Sequence, residues 1–232
     1  SKRGGKVLKK NKSYKIEVHY KFEGNFPAIY IGCQPPDEID LMDEALNIAK
    51  EVEQVVLMVG TNSDWETEGN DRVDFNLPGK QNELIEKVLE INPNTIVVLN
   101  TGSPINMPWI NKAKAVIQSW YAGQEYGNAL VDILTGATNP SGKLPTTYPA
   151  NLSDTPAFES YPGKNLQMDY DEKLLVGYKW YDKNLIEPLF PFGHGLSYTE
   201  FEYSELKIKN DMNNSVICSY RIETTGNTSG SE

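Results

Sequence analysis

The stretch LMDEALNIAKEVEQVVLMV, residues 41–59, predicts a helix that leads directly into a buried strand. Its first part repeats apolar residues at helical spacing behind Asp40, a residue type that caps helices. The repeating residues are Leu41, Ala45, Ile48, Ala49 and Val52. Residues 55–59 are a continuous apolar run, which is typical of a strand covered on both faces.

The same order of elements returns further along the chain. Residues 81–91 repeat the helix and residues 96–99 repeat the strand. Residues 115–117 are a shorter third strand, and residues 124–134 are a third helix closed by Gly136. Helices that alternate with buried strands predict an α/β domain, a mainly parallel sheet sandwiched by helices.

Both ends of the chain carry a β pattern instead. Residues 14–22 alternate aromatic or β-branched residues with polar ones, and residues 28–31 follow as a second run after a turn at Gly24. This predicts a half-exposed hairpin, which is too small to be stable alone. Strands are also expected within residues 201–208 and 216–222, too few for a β-sandwich of about 100 residues. We therefore expect both ends to be parts of larger β domains.

Composition excludes several classes of function. The chain has 232 residues, of which 39% are hydrophobic and 23% charged, as in ordinary soluble globular proteins. Its net charge of −10 argues against a nucleic-acid partner. No apolar run approaches the roughly 20 residues of a membrane span. Cys33 and Cys218 have no metal-ligand or redox spacing, so no cofactor and no metal are predicted.

The chemistry is expected after the first strand, because ligands of open α/β sheets bind beyond the carboxyl ends of strands. Residues 60–78 lack helical or strand periodicity, and loops of that length in compact domains are commonly functional. This loop crowds five carboxylates around one arginine, Arg72: Asp64, Glu66, Glu68, Asp71 and Asp74. Crowding should raise the pKa of at least one carboxyl, as a general acid requires. Composition leaves open a solvated acidic loop or a calcium site, but the calcium loop's order of Asp, Gly and terminal Glu is absent.

The next two strand ends add small, polar and aromatic residues to the same predicted rim. Residues 100–104 read NTGSP, and residues 120–125 read WYAGQE. Aromatic faces with directed hydrogen bonds suit a carbohydrate, and they equally suit a contact between domains.

At this point the sequence resembles a known family. The run ETEGNDR at 66–72, with Leu77, Pro78 and Gln81, is similar to the acid/base loop of family 3 β-glucosidases. Further segments resemble that family in the same order: GSP at 102–104, MPW at 107–109, WYAGQE at 120–125, NPSGKLP at 139–145, VGYKWY at 176–181 and FPFGHGLSYT at 190–199. The resemblance covers roughly residues 45–201.

The resemblance implies retaining hydrolysis of a β-glycoside. In the family, an Asp on a preceding (β/α)8 barrel attacks the sugar, and a Glu of the α/β domain protonates the leaving oxygen. Glu68 is the candidate acid/base by its match to the motif, and Glu66 is the alternative. Asp71 and Arg72 are expected to hold the loop as a buried pair. Trp65 and Arg72 are the candidate substrate-binding residues, with packing as the alternative for Trp65.

The resemblance also implies an organisation and a set of partners. Residues 1–35 are expected to be the last strands of an inserted sugar-binding β domain, 36–200 the family's C-terminal α/β domain, and 201–232 the start of a fibronectin-III-like domain. The partners are a β-glucoside or oligosaccharide and the barrel, which is missing from these 232 residues. The chain alone is thus not expected to hydrolyse a glycoside. Homo-oligomerisation and compartment are left open, and the alternative function is a non-catalytic carbohydrate-binding or scaffolding chain.

Overall fold

The computed structural model of the chain describes residues 8–9, 11–21, 40–69, 71–211 and 215–232. The chain divides into two units, Ser1–Asp40 and Leu41–Glu232. In the first unit, residues 12–21 are exposed and are assigned to no strand, although their alternation predicts one. An alternating segment becomes a strand only when a neighbour satisfies its backbone hydrogen bonds. The expected second run, residues 28–31, lies outside the described residues.

The second unit alternates helices and strands as predicted. Its elements are α1 (Leu41–Glu51), β1 (Val55–Gly60), α2 (Gln81–Ile91), β2 (Thr95–Asn100), β3 (Ala115–Gln118), α3 (Tyr126–Leu134), α4 (Tyr178–Asn184), β4 (Phe201–Asn210) and β5 (Val216–Thr224), with 3-10 turns at Ile110–Lys112 and Leu152–Asp154. Strands β1, β2 and β3 form one parallel sheet in that order. The predicted α/β fold is confirmed. None of the described helices is long and apolar enough to cross a membrane.

The core of the sheet lies around its central strand. Val97, Val98 and Leu99 of β2 are wholly inaccessible to solvent, as is Ile85 of α2. Full burial of such side chains contributes about 1.5–3 kcal/mol each. Trp109 is equally buried, and its indole Nε1 donates to Asn82 Oδ1 at 2.9 Å, which removes the cost of burying that polar group.

Among the residues that the structure describes, strand β1 is covered on only one face, contrary to the prediction from its apolar run. Val56 and Met58 are 45% and 54% exposed, whereas Val59 is buried. Among the described residues, β1 pairs with β2 alone, so it is an edge strand of the described sheet. A continuous apolar run identifies a strand, but it does not state how many neighbours cover that strand.

The carboxyl ends of the three strands lie along one edge of the sheet. Gly60 is in register with Asn100, and Leu99 is in register with Gln118. The first residue of α2 fixes this edge, because Gln81 Oε1 accepts from Gly60 N at 2.8 Å and Gln81 Nε2 donates to Gly60 O at 2.9 Å. A Cβ on Gly60 would lie 2.2 Å from the carbonyl oxygen of Asn100, so only glycine fits there.

Strands β4 and β5 form a separate antiparallel pair. The apolar alternation in β4 skips one position, from Phe201 and Tyr203 to Leu206 and Ile208. The register shifts between Ser204 and Lys207, and Glu205 between them has a φ of 56°. A bulge thus explains the skipped position. The domain boundaries expected from the resemblance stay a prediction.

Candidate functional site

The loop after β1 turns back on itself at once. The backbone amides of Trp65 and Glu66 donate to the carbonyl oxygen of Asn62 at 2.9 and 2.8 Å. The amide of Asp64 donates to Asn62 Oδ1 at 3.0 Å. Asparagine favours such turns because its side chain replaces a backbone acceptor. The turn directs the side chain of Glu66 toward the carboxyl ends of the strands.

The carboxylate of Glu66 joins the ends of all three parallel strands. Its Oε2 accepts from Gly102 N at 2.7 Å, beyond β2, and from Tyr121 OH at 2.5 Å, beyond β3. Thr61 Oγ1, directly after β1, lies 2.9 Å from the same oxygen. Its Oε1 accepts from the hydroxyl of Ser103. The predicted common rim of residues 100–104 and 120–125 is thereby confirmed, with Glu66 at its centre.

Two of these donors also contact each other. Thr61 Oγ1 and Tyr121 OH are 2.6 Å apart, and each hydroxyl carries one proton. The three oxygens, including Glu66 Oε2, therefore share two protons among three short contacts. A carboxylate is the suitable third member, because an ionised oxygen accepts from both hydroxyls at once.

Arg72 adds a positive charge on the other side of the carboxylate. Its NH1 lies 3.6 Å from Glu66 Oε1, and the two side chains are only 21% and 13% exposed. Its NH2 donates to the carbonyl oxygen of Pro104 at 3.0 Å. Arg72 thus fastens the end of the loop to the segment that follows β2.

The pKa of Glu66 departs from the expectation drawn from crowded carboxylates. Burial by itself raises that pKa, but hydrogen bonds from Ser103, Tyr121, Gly102 and Thr61 together outweigh it. The net result is a pKa below its ordinary value of 4.5. Glu66 is therefore an ionised carboxylate at neutral pH.

Glu68 lies two residues further on, in an exposed turn with Gly69, whose φ is 85°. The preceding Trp65 is half-buried, and its indole Nε1 is buried without a hydrogen-bond partner among the described residues. The two candidate carboxyls thus differ sharply, because Glu66 is enclosed by donors and Glu68 faces solvent.

Asp71 and Arg72 hold the loop through separate partners and not as the buried pair expected from the sequence. Asp71 is exposed, and its Oδ1 accepts from Tyr161 OH at 2.5 Å. That hydrogen bond, followed by weak burial and the charge of Asp71, raises the pKa of Tyr161. Ninety positions separate the two residues, and the sequence carries no signal that would pair them.

Other residues near the site have structural surroundings. Tyr148 is 1% exposed and packs edge-on against Trp120 at 6.5 Å between ring centroids. Burial, aided by the charge of Glu66, raises its pKa. His194 packs on Phe190 with 4.8 Å between ring centroids. Within the part of the chain that the structure describes, no three potential ligands from His, Cys, Asp and Glu group into a metal site.

Comparison with known proteins adds independent findings. Residues 6–198 match the model of the glycosyl hydrolase family 3 C-terminal domain. The chain is 45% identical over 196 residues to thermostable beta-glucosidase B of Acetivibrio thermocellus, covering 83% of this chain and 26% of that protein. It is 41% identical over 201 residues to probable beta-glucosidase I of Aspergillus niger, covering 83% of this chain and 25% of that protein.

Solved structures agree with these relatives. The structure of beta-glucosidase from Kluyveromyces marxianus in complex with glucose matches with a TM-score of 0.77 and 40% identity, over 85% of this chain and 24% of that one. DesR, a beta-glucosidase from Streptomyces venezuelae solved with D-glucose, matches with a TM-score of 0.78 and 41% identity, over 82% and 24%. The chain therefore spans about a quarter of the length of the proteins that it matches.

Proposed function

Since this chain belongs to the family of glycosyl hydrolase family 3 C-terminal domains, we propose that it is one part of a retaining, exo-acting β-glucosidase. The substrate is a terminal, non-reducing β-D-glucosyl residue of a glucoside or oligosaccharide. The support is that relatives 41–45% identical to this chain are named as β-glucosidases. A (β/α)8 barrel outside this chain supplies the nucleophilic Asp and most of the sugar contacts.

Glu68 is the general acid/base in this proposal. One observation carries the choice: Glu68 lies exposed at the tip of the loop, while Glu66, two residues away, is enclosed by four hydrogen-bond donors. A proton donor must reach the glycosidic oxygen and must hold a proton near working pH. An enclosed carboxylate with a lowered pKa does neither.

The mechanism requires the loop to approach a second module. Retention needs the acid/base and nucleophile carboxyls about 5–5.5 Å apart. Glu68 first protonates the leaving oxygen while the Asp attacks, and then it deprotonates the water that releases glucose. Trp65 borders the subsite of the leaving group, and Arg72 holds the loop that carries both residues.

The test uses the intact enzyme with Glu68→Ala, and with Asp64→Ala as a control for an exposed carboxylate of the same loop. We expect kcat/KM for an aryl β-glucoside with a poor leaving group to fall by about 10²–10⁴-fold. With 2,4-dinitrophenyl β-glucoside, whose leaving group departs without a proton, we expect added azide to restore turnover in Glu68→Ala by attacking the glucosyl-enzyme and forming a β-glucosyl azide. The Asp64 variant should retain activity.

Two outcomes would redirect the proposal. Azide rescue of Glu66→Ala, together with an active Glu68→Ala enzyme, would transfer the acid role to Glu66. An intact protein that binds glucosides but never turns them over would favour the non-catalytic carbohydrate-binding or scaffolding function instead.

A further inference from the structure

Hydrogen bonds within the chain occupy most of the acceptor capacity of Glu66. Its two oxygens receive hydrogen bonds from Gly102 N, from Tyr121 OH and from two further hydroxyls, those of Thr61 and Ser103. The guanidinium of Arg72 faces it at 3.6 Å. Hydrogen bonds to an ionised carboxylate are roughly twice as strong as neutral ones. The side chain of Glu66 is thus held by more contacts than an ordinary surface carboxylate.

The chain leaves room for this arrangement at the expense of a side chain. A Cβ on Gly102 would lie 2.8 Å from Tyr121 Cε2 and 2.9 Å from Glu66 Oε2. Real Cβ atoms do not approach other atoms that closely. Gly102 therefore lets its own amide reach the carboxylate, and the glycine has no turn conformation that would otherwise demand it.

The loop is fastened again on the far side of Glu68. Arg72 bonds to Pro104 O at 3.0 Å, and Asp71 accepts from Tyr161 at 2.5 Å. Two consecutive residues span at most about 7 Å of extended chain, so a fixed Glu66 restricts where Glu68 can lie. The exposed turn is thus short and is held at both ends.

From this geometry we infer that Glu66 is a positioning residue, which fixes the loop to the ends of β1, β2 and β3 and so holds Glu68 at the leaving group of the glycoside. The inference rests on the proposed role of Glu68. A displacement of about 1 Å in a reacting group can reduce the rate by about 100-fold, so an anchor this close to the acid affects catalysis without touching substrate.

The decisive experiment compares leaving groups in the intact enzyme. For Glu66→Ala we expect kcat/KM to fall by about 100-fold with a substrate that has a poor leaving group. With 2,4-dinitrophenyl β-glucoside the fall should be less than about tenfold, because dinitrophenolate departs without a proton. Azide should not rescue this variant, because the carboxylate of Glu68 is still present. An equal loss for both substrates would mean general structural damage, and it would overturn the inference.

A second variant keeps the carboxylate and removes one of its donors. Tyr121→Phe should show the same selectivity for poor leaving groups, with a smaller loss of about tenfold. If Tyr121→Phe and Glu66→Ala were both as active as the unchanged enzyme on every substrate, Glu66 would not position the acid.

Anchoring can also be measured without any activity. Hydrogen exchange at the backbone amides of positions 65 and 66, which both donate to Asn62 O, should become about tenfold faster or more in Glu66→Ala. Amides of Val97 and Val98 in the core serve as the control. Unchanged exchange in the loop would refute the anchor and leave the role of Glu68 intact. Faster exchange together with a fully active Glu68→Ala enzyme would refute the proposed function and leave the anchor intact.

Discussion

Replacing Glu66 by Gln removes the negative charge of the anchor and keeps its shape. Four hydrogen-bond donors and one guanidinium surround the carboxylate. An amide oxygen can still accept from the donors at one side. The amide nitrogen then faces Ser103, whose hydroxyl can reverse and accept, and it also faces Arg72, which cannot. The loss is therefore the difference between charged and neutral hydrogen bonds plus one ion pair.

That difference can be estimated. Hydrogen bonds to charged groups contribute about 1.5–3 kcal/mol and neutral ones about 0.5–1.5 kcal/mol. Since Glu66 is 13% exposed, solvent screens its ion pair with Arg72 only in part. Some of the gain is already offset by burial of the charge, which raises the pKa of Glu66. We expect the free energy of unfolding at pH 7 to fall by about 2 kcal/mol.

The sign of the pH dependence follows from the lowered pKa. The folded state binds the proton of Glu66 less tightly than the unfolded state, so the ionised anchor stabilises the fold fully above the ordinary value of 4.5. That contribution is lost as the pH falls through the lower pKa of the folded state. A protonated Glu66 is neutral like Gln, and the two chains should then be equally stable.

The assay is urea denaturation of both chains, followed by tryptophan fluorescence at pH 7, 5, 4 and 3. The gap of about 2 kcal/mol should hold at pH 7 and 5 and shrink below pH 4.5. Glu68→Gln, an exposed change in the same loop, should alter stability by less than about 0.5 kcal/mol at pH 7. A gap that stays constant down to pH 3, or a Gln chain that is more stable at pH 7, would refute this reasoning.

Two further predictions concern close packing and a buried amide. Gly102→Ala should destabilise the chain by about 1–2 kcal/mol, because the new methyl group must push Tyr121 away from Glu66. This cost exceeds the gain of about 0.4–1 kcal/mol from a stiffer unfolded chain. Gly142→Ala, which has open space around it, should be neutral or stabilising in the same denaturation assay. Asn92→Ala should lower the free energy of unfolding by about 2–3 kcal/mol. The Asn92 side chain makes three hydrogen bonds to the backbone, with Ala49 in α1, Val52 after it and Asn94 before β2. Asn94→Ala, which loses one exposed bond, should cost less than about 1 kcal/mol, and equal losses for the two asparagines would contradict this account.

Most helices and strands of the α/β unit were predictable, because each of these helices carries an apolar repeat and each of the sheet strands is an apolar run. The residue bounds of α2 agree with the pattern, and β2 and β3 extend it by one or two residues. Helix α4, YKWYDKN, was not predicted, because it carries no apolar repeat. It begins after Gly177, which has a φ of 59°, and ends before Leu185, which has a φ of 54°, and only its Tyr181 is buried. Tertiary contacts and the positive φ angles at both of its ends therefore define helix α4.

The sequence predicted where the site lies, but it predicted only part of the arrangement of its side chains. The strand-end rule located the loop and its rim. It could not decide which glutamate turns inward, because residues two apart share a face only in an extended chain. In the structure Glu66 lies at a bend and Glu68 lies in a turn, so the chain between them is not a regular extended strand. The bond between Asp71 and Tyr161 joins distant segments, and no local pattern encodes such a pair.

The exposed face of β1 has a practical consequence for anyone who purifies this polypeptide. Val56 lines a shallow apolar groove together with Ile48 and Val52 of the neighbouring segment, and Met58 on the same strand is 54% exposed. Strand β1 is also at the edge of the described sheet. An unpaired edge is a template for intermolecular strand addition, which natural proteins usually suppress with charges or proline. Lysine substituted at Met58 should raise the solubility limit of the purified chain and leave the carboxylate anchor, which lies beyond the carboxyl end of β1, undisturbed.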